Sequence, residues 1–258
     1  MLTTVNIPKN HPRAQSLLLR EKLVEAFRKG VVVPEGLIAH GRGEAFDYLL
    51  GEKTTDFARK AIRTAAAALI LAKKPVISVN GNVAALVPDE AVELSEVAGA
   101  GIEINLFYRT AKREVAIAKV LRHAGADQVL GVGINASSQI PGLLSERRKV
   151  DPGGILGADV VLVPLEDGDR TEALRKLGKT VIAIDLNPLS RTSLNASISI
   201  VDNVTRALPL LIDETKSLEG KKNIRKIAED FDNQANLRDA FAYLVKRLDQ
   251  LSRGTNDV

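Results

Sequence analysis

Several polar segments of the chain carry residue types that ligand chemistry uses. DLNPLSRT gathers Asp185, Asn187, Arg191 and Thr192 around a turn that Pro188 makes rigid. An acidic residue just past a strand can accept from ribose hydroxyls, and a nearby arginine can pair with phosphate. Farther on, Asp202 and Asn203 open a helical segment whose first N–H groups favour anionic or acceptor atoms. Arg20 shares a helical line with Leu17, Val24 and Phe27. A guanidinium in an apolar row either snorkels to water or is held to meet an anion. HGRGE sets Arg42 between two glycines in a glycine-rich stretch, so that backbone and guanidinium can approach a ligand together. Polar loops add Asn80, Gly81 and Asn82 in NGNVAAL, Asn135, Ser137 and Ser138 in GINASS, and Asp151, Gly153 and Gly154 in DPGGILGAD. Any one of these loops, taken alone, reads more readily as an ordinary turn. Most of them at one edge of a sheet form a ligand edge.

Some familiar patterns carry no such weight. GKT at Gly178–Thr180 imitates the end of a phosphate-binding loop, but Ala173 stands where that loop needs its first glycine. GVGINA from Gly131 matches a dinucleotide fingerprint, yet Pro141 interrupts the helix that should follow, which argues against a nicotinamide cofactor. Of the three histidines, His123 falls in the last turn of a helical segment, where a cation is favourable for structural reasons. No His/Asp/Glu spacing suggests a zinc site, and without cysteine there is no thiolate ligand, disulfide or cysteine nucleophile.

Short β-branched runs must position these loops. They are PVISVN from Pro75, IEINLF from Ile102, QVLGVG from Gln128, VVLVPL from Val160, TVIAIDL from Thr180 and ISIVD from Ile198. Near-continuous apolar strands are expected where helices cover both faces of a sheet. Between them, Ile117, Val120, Leu121 and Ala124 form one apolar helix face, closed by Gly125; Gly178 closes the helical segment before Thr180 in the same way. Strand, helix, glycine and strand in repetition predict an α/β fold: a Rossmann-like, doubly wound, mostly parallel sheet. The expected layout is a single α/β domain over 1–258. It has an N-terminal helical part (1–73), a sheet core (74–213) and C-terminal helices (214–258). Leu237, Phe241, Leu244, Leu248 and Leu251 form a short a/d seam, which either packs on the protein's own core or joins a dimer.

Composition narrows the function classes. The 258 residues are 45% hydrophobic and 26% charged, with net charge +4 and no clustering of cations. Aromatics are only 3%, without tryptophan, so stacking platforms for nucleic acid are scarce. No apolar run approaches the roughly 20 residues that span a bilayer. The start MLTTVNIPKNHPR lacks the apolar stretch of a secretory signal. The expectation is a cytoplasmic protein with neither nucleic-acid nor membrane partners. From the residues alone the chain reads as a nucleotide- or phosphate-binding α/β enzyme.

The segments NIPKNHPR, LLLRE, GLIAHGRGEAFDYLLGE, PVISVNGN, GVGINASS and VIAIDLNPLSRT together resemble the archaeal phosphopantothenate synthetases, or 4-phosphopantoate–β-alanine ligases. The resemblance runs through nearly the whole chain up to Asp213. It implies a Rossmann-like homodimer that uses ATP to join 4-phosphopantoate to β-alanine, releasing AMP and pyrophosphate through an acyl adenylate on the route to coenzyme A. It places ATP contacts on Arg20, Arg42, Asp185, Leu186, Asn187, Arg191, Thr192, Asn203 and Val204. With Mg2+ and backbone amides, Arg20 and Arg42 would stabilise charge at the α-phosphate. His40 is the candidate for helping to deprotonate β-alanine, though it reads equally as a residue that orders its loop. Asn80, Asn82, Asn135, Ser137 and Ser138 would cradle the substrate phosphate. Which residues would hold the Mg2+ is not read from the sequence. An ADP-forming ligase or kinase shares the fold and differs in product, and a nucleotide-sensing module would need no second ligand site.

Overall fold

The computed structural model describes residues 7–8, 10–11, 13–165 and 167–254. Of the start MLTTVNIPKNHPR, on which the expectation of no secretory signal rests, residues 1–6, 9 and 12 lie outside these. Three helices come first: α1 (Ala14–Arg28), α2 (Pro34–Leu50) and α3 (Asp56–Leu71). Then β1 (Pro75–Val79), α4 (Gly81–Leu86), α5 (Pro88–Ala98), β2 (Gly101–Ile104) and α6 (Ala111–His123) follow. A small antiparallel pair, β3 (Ser138–Gln139) and β4 (Lys149–Val150), precedes the rest of the sheet. That remainder is β5 (Val160–Pro164), α7 (Gly168–Lys176), β6 (Thr180–Ile184), α8 (Arg191–Asn195) and β7 (Ile198–Ile200). The chain closes with α9 (Val204–Leu218), α10 (Ile224–Glu229) and α11 (Asn233–Ser252).

The main sheet is parallel throughout, in the order β2-β1-β5-β6-β7. The chain runs outward from β1 to β2, crosses back to β5 and continues the other way. A topological switch point therefore lies between β1 and β5, the place where open α/β sheets hold ligands. Alternate residues sort to the two faces. Ile77, Val79, Leu162, Ile182 and Ile184 join the large core beneath α3, α5, α6 and α9, while Val76, Val161, Val163 and Val181 pack with Leu174 of α7. On that second face Ile140, Leu143 and Ile155 supply the cover from turns and loops, and Val150 from β4. Ala61, Ala65, Ala66 and Ala67 make α3 slim, so its apolar face packs closely against α9 and β7.

Two sequence expectations are corrected. QVLGVG is not a strand: only Leu130 forms an isolated bridge, to Glu103. Gly131 and Gly133 take φ of 74° and 58° and turn the chain away, and a Cβ on Gly131 would stand 2.5 Å from the Ile104 carbonyl. The glycine-rich HGRGE stretch is not a loop but the middle of α2, which Pro34 starts at its first position. Neither Gly41 nor Gly43 is forced by a close approach, since a Cβ on Gly41 meets nothing within 4 Å and one on Gly43 only Leu186 at 3.6 Å; Gly36, earlier on α2, is the glycine that a Cβ would drive into Asn82. Other expectations hold, since Gly125 and Gly178 have positive φ just past α6 and α7. The first half of the C-terminal seam packs inward through Leu237, Phe241 and Leu244, whereas Leu248 and Leu251 are exposed. Among the described residues no helix is long and apolar enough to cross a membrane.

Candidate active site

A cavity of about 470 Å³ opens at the carboxyl ends of the strands and spans the switch point. On its β6–β7 side it is lined by Asp185, Leu186, Asn187, Arg191, Asn203 and Val204. α2 contributes His40 and Arg42 to the wall, and the β1–α4 junction contributes Asn80 and Asn82.

The turn after β6 is built by its own side chains. Asp185 Oδ1 accepts from the Asn187 N–H at 2.9 Å, and its Oδ2 accepts from the Ser190 hydroxyl at 2.5 Å. Asn187 Oδ1 accepts from the Leu189 N–H, and Ser190 caps α8. Arg191 is drawn toward α7 by ion pairs to Asp169 (2.6 Å) and Glu172 (3.1 Å). Gly168 makes room for it, because a Cβ there would meet Arg191 Cβ at 2.6 Å. Asn203 caps α9 through Oδ1 and donates from Nδ2 to Asp47 Oδ2 at 3.0 Å. Asp47 also holds Arg206 at 2.6 Å, and Arg206 reaches Asp202 at 2.6 Å. This network joins α2 to α9 across the nucleotide-like end. Burial works against the charge on Arg206, but the two carboxylates outweigh it and raise its pKa.

At the centre, Asn80 caps α4 by accepting from the Val83 N–H and donates to the Leu165 carbonyl at 3.2 Å. Leu165, at the cavity edge, holds φ of 58°, a strained conformation for a leucine. Asn82 donates to the Gly36 carbonyl at 2.8 Å and so fastens α4 to α2. His40 is half-buried in the wall; burial and the Arg20 charge push its pKa down, against Glu44 and Asp47. The imidazole is therefore neutral at pH 7 and able to accept a proton.

Not every expected residue reaches the cavity. Arg20 lies outside its lining, bound to Glu44 by Nε at 3.0 Å and Nη2 at 2.7 Å. Thr192 is fully buried within α8. Asn135, Ser137 and Ser138 stand apart in the 3-10 turn and the β3–β4 pair, with Asn135 and Ser137 exposed. Conversely, the sequence reading missed Glu35, Tyr108, Arg113, Arg147, Asp167 and Asp169, all in the wall. For Arg113 a signal existed: it stands one and two turns before Ile117 and Leu121 on the apolar face of α6. Arg147 lies in a single 3-10 turn (Glu146–Arg148) and Asp167 caps α7, segments too short for a periodicity to mark an inward side chain.

The phosphopantothenate/pantothenate synthetase family model matches residues 57–247. A Thermococcus onnurineus protein named 4-phosphopantoate–β-alanine ligase is 53% identical over 252 residues, covering 97% of this chain and 96% of its own. Relatives of the same name from Thermococcus kodakarensis and Methanosarcina mazei are 52% and 50% identical, covering 96% and 97% of this chain and 95% and 98% of their own. With the match extending along the sheet, the cavity and the C-terminal helices alike, the chain belongs to the phosphopantothenate/pantothenate synthetase family.

Proposed function

We propose that this chain is an ATP-dependent ligase of coenzyme A biosynthesis that joins 4-phosphopantoate to β-alanine. AMP and pyrophosphate leave, and an acyl adenylate is the intermediate. The observation that carries the reading is a single cavity across the switch point, with a nucleotide-type turn at one end and a polar, cationic wall at the other. Conversion of a carboxylate to an amide needs such a two-ended site, because oxide is too poor a leaving group for direct attack by an amine. The carboxylate oxygen of the acid attacks the α-phosphate and pyrophosphate departs; the amine then attacks the acyl carbon and AMP departs.

The nucleotide end would take ribose and adenine against Asp185, Leu186, Asn187, Asn203 and Val204. The Asp185 oxygens already accept from the Asn187 N–H and the Ser190 hydroxyl, so the carboxylate shapes the turn as well as facing the ligand. Arg42, from the α2 wall, would meet charge developing at the α-phosphate; a donor of this kind is worth about 3 kcal/mol of barrier. Neutral His40 would take a proton from the β-alanine ammonium. Arg20 would act at the rim, reaching nucleotide only after leaving Glu44. Thr192 would support α8 from beneath, while Asn80 and Asn82 hold the floor between the two ends. Asn135, Ser137 and Ser138 have no place in this scheme, since they lie off the cavity.

Among the described residues no group of three or more His, Cys, Asp or Glu is placed to hold a metal. Mg2+ would be carried chiefly by phosphate oxygens, with Asp167 or Asp169 of the cavity wall adding a carboxylate. When bound, the ion would neutralise the departing pyrophosphate. A homodimer and a cytoplasmic location belong to the same proposal, on the resemblance in sequence.

The test is product identification with ATP, 4-phosphopantoate and β-alanine, each omitted in turn. AMP and pyrophosphate formed only with both substrates support the ligase. ADP, or nucleotide binding without turnover, overturns it.

A further inference from the structure

The residues after β2 form one rim of the cavity, at the other edge of the sheet from the β6–β7 side. Phe107 and Tyr108 both line it there, and both are half-exposed, at 48% and 47%. Aromatic rings are scarce in this chain, with six phenylalanines, three tyrosines and no tryptophan. Phe46, Phe57, Phe231, Phe241 and Tyr243 pack against the apolar clusters or join them. Two neighbouring rings left open to water forfeit the burial that those five gain. The two lean on each other, with centroids 5.1 Å apart and planes tilted by 57°. They thus present one continuous apolar surface at the rim.

The backbone that carries these rings is fastened on both sides. Before them, Asn105 is fully buried; its N–H donates to the Val79 carbonyl at 3.0 Å and its Nδ2 to the Arg147 carbonyl at 3.0 Å. Arg170 holds the same amide by donating to Asn105 Oδ1 at 2.8 Å. Leu106 belongs to the large core. After them, the Tyr108 carbonyl accepts from Arg113 Nη1 at 2.8 Å, and the Arg109 side chain pairs with Glu114. Thr110 then caps α6. So held, the segment does not swing as a loop. What moves is the two side chains, by rotation about their own torsions.

We propose that Phe107 and Tyr108 set the choice of nucleophile in the second half-reaction: their rings close over the acyl adenylate and keep water from the acyl carbon until the amine attacks. The inference rests on the ligase reading above. The adenylate is a mixed anhydride, and water competes with the amine for the same carbon. When water adds, the bond from that carbon to the AMP oxygen breaks, AMP leaves and a proton is released. The free acid re-forms with one oxygen from water, and ATP is consumed without an amide. Apolar rings offer water no hydrogen bonds in exchange for those it gives up on entering. Rotation of two side chains admits β-alanine without laying the whole site open.

The test is the double variant Phe107→Ala/Tyr108→Ala. With ATP and 4-phosphopantoate but no β-alanine it releases AMP about tenfold faster than wild type, and with β-alanine it forms more AMP than amide. In water enriched in 18O, this extra turnover labels the carboxyl group of the recovered acid and leaves AMP unlabelled. Leucine at both positions restores an apolar cover and brings AMP release back to within about threefold of wild type. An alanine variant that still forms AMP and amide in equal amounts, however slowly, overturns the proposal, because the rings then serve the fold alone. So does solvent label in AMP, which would put the water at the α-phosphate instead. Wild-type protein supplies a second measurement that needs no variant. Tetranitromethane nitrates Tyr108 in the free enzyme, and that reaction is lost once ATP and 4-phosphopantoate are both bound; equal nitration overturns the proposal. Failure of the ligase reading is separate and visible. Wild-type protein then forms no AMP with both substrates present, and the gate falls with it, whereas failure of the gate alone leaves wild type and variant equally well coupled.

Discussion

Asp47→Asn probes how the helices around the nucleotide end are held. Asp47 is 6% exposed and accepts from Arg206 Nη2 at 2.6 Å, Arg206 Nη1 at 3.1 Å and Asn203 Nδ2 at 3.0 Å. An asparagine keeps the shape, but its NH2 must face a donor, and one of two charges countering Arg206 is gone. Removing one partner of a buried pair costs about 3–5 kcal/mol. Asp202 remains on Arg206, by Nε at 2.9 Å, which trims the expected loss to about 2–3 kcal/mol. With a urea m-value near 3 kcal/mol/M, the midpoint falls by about 0.7–1 M. Weaker bracing by Arg206 leaves the start of α9 less well set, and ATP binds several-fold more weakly. Urea unfolding and an ATP titration of the same variant measure both. A double-mutant cycle with Arg206→Met gives a coupling of about 2 kcal/mol. A midpoint within about 0.2 M of wild type, or a coupling below about 0.5 kcal/mol, refutes the claim that this network braces the site.

Further predictions concern individual groups. Arg42→Lys keeps charge and loses the fork, lowering kcat by about tenfold or more; unchanged steady-state kinetics would leave Arg42 a structural role only. The pKa of His40 lies below its ordinary value, so kcat/KM is flat above about pH 6.5 and falls on the acid side as the imidazole gains its proton. His40→Gln lowers the rate about 100-fold and removes that acid limb; a pH profile that keeps the limb excludes His40 as the base. Glu103 is fully buried, and burial raises its pKa from 4.5 to about 7 despite N–H bonds from Ile155 and Asp151. Folded protein then holds that proton more tightly than unfolded protein, so the contribution is complete below pH 4.5 and is lost as pH rises through about 7. Between pH 5 and 8 wild type loses up to about 3 kcal/mol relative to Glu103→Gln; parallel stability curves for the two refute this.

The sequence was legible where a local rule decides the outcome. The β-branched runs at Val76, Val160 and Val181 became central strands because only a sheet covered on both faces suits them. The Asp185 turn could be read because its hydrogen bonds run between residues close in sequence. Distance in sequence hid the rest. The glycines of HGRGE suggest a loop, whereas the stretch is helical; Gly36 on the same helix is small because Asn82, 46 positions on, sits against it. Arg20 was recognised as unusual, but its partner Glu44 lies on another helix. Arg113, Arg147 and Arg170 come from three separate segments, and only the fold makes them a cluster. GINASS matched the family pattern, yet the turn at Gly131 carries Asn135 and Ser137 to the surface away from the cavity.

The most direct test of the ligase account is the fate of the carboxylate oxygen. 4-Phosphopantoate labelled with 18O in its carboxyl group is turned over with ATP and β-alanine, and the nucleotide and phosphate products are examined by mass spectrometry. Attack on the α-phosphate followed by loss of AMP carries one labelled oxygen into AMP and none into pyrophosphate. Label in inorganic phosphate together with ADP would mean an acyl phosphate formed at the γ-phosphate, and would contradict the account.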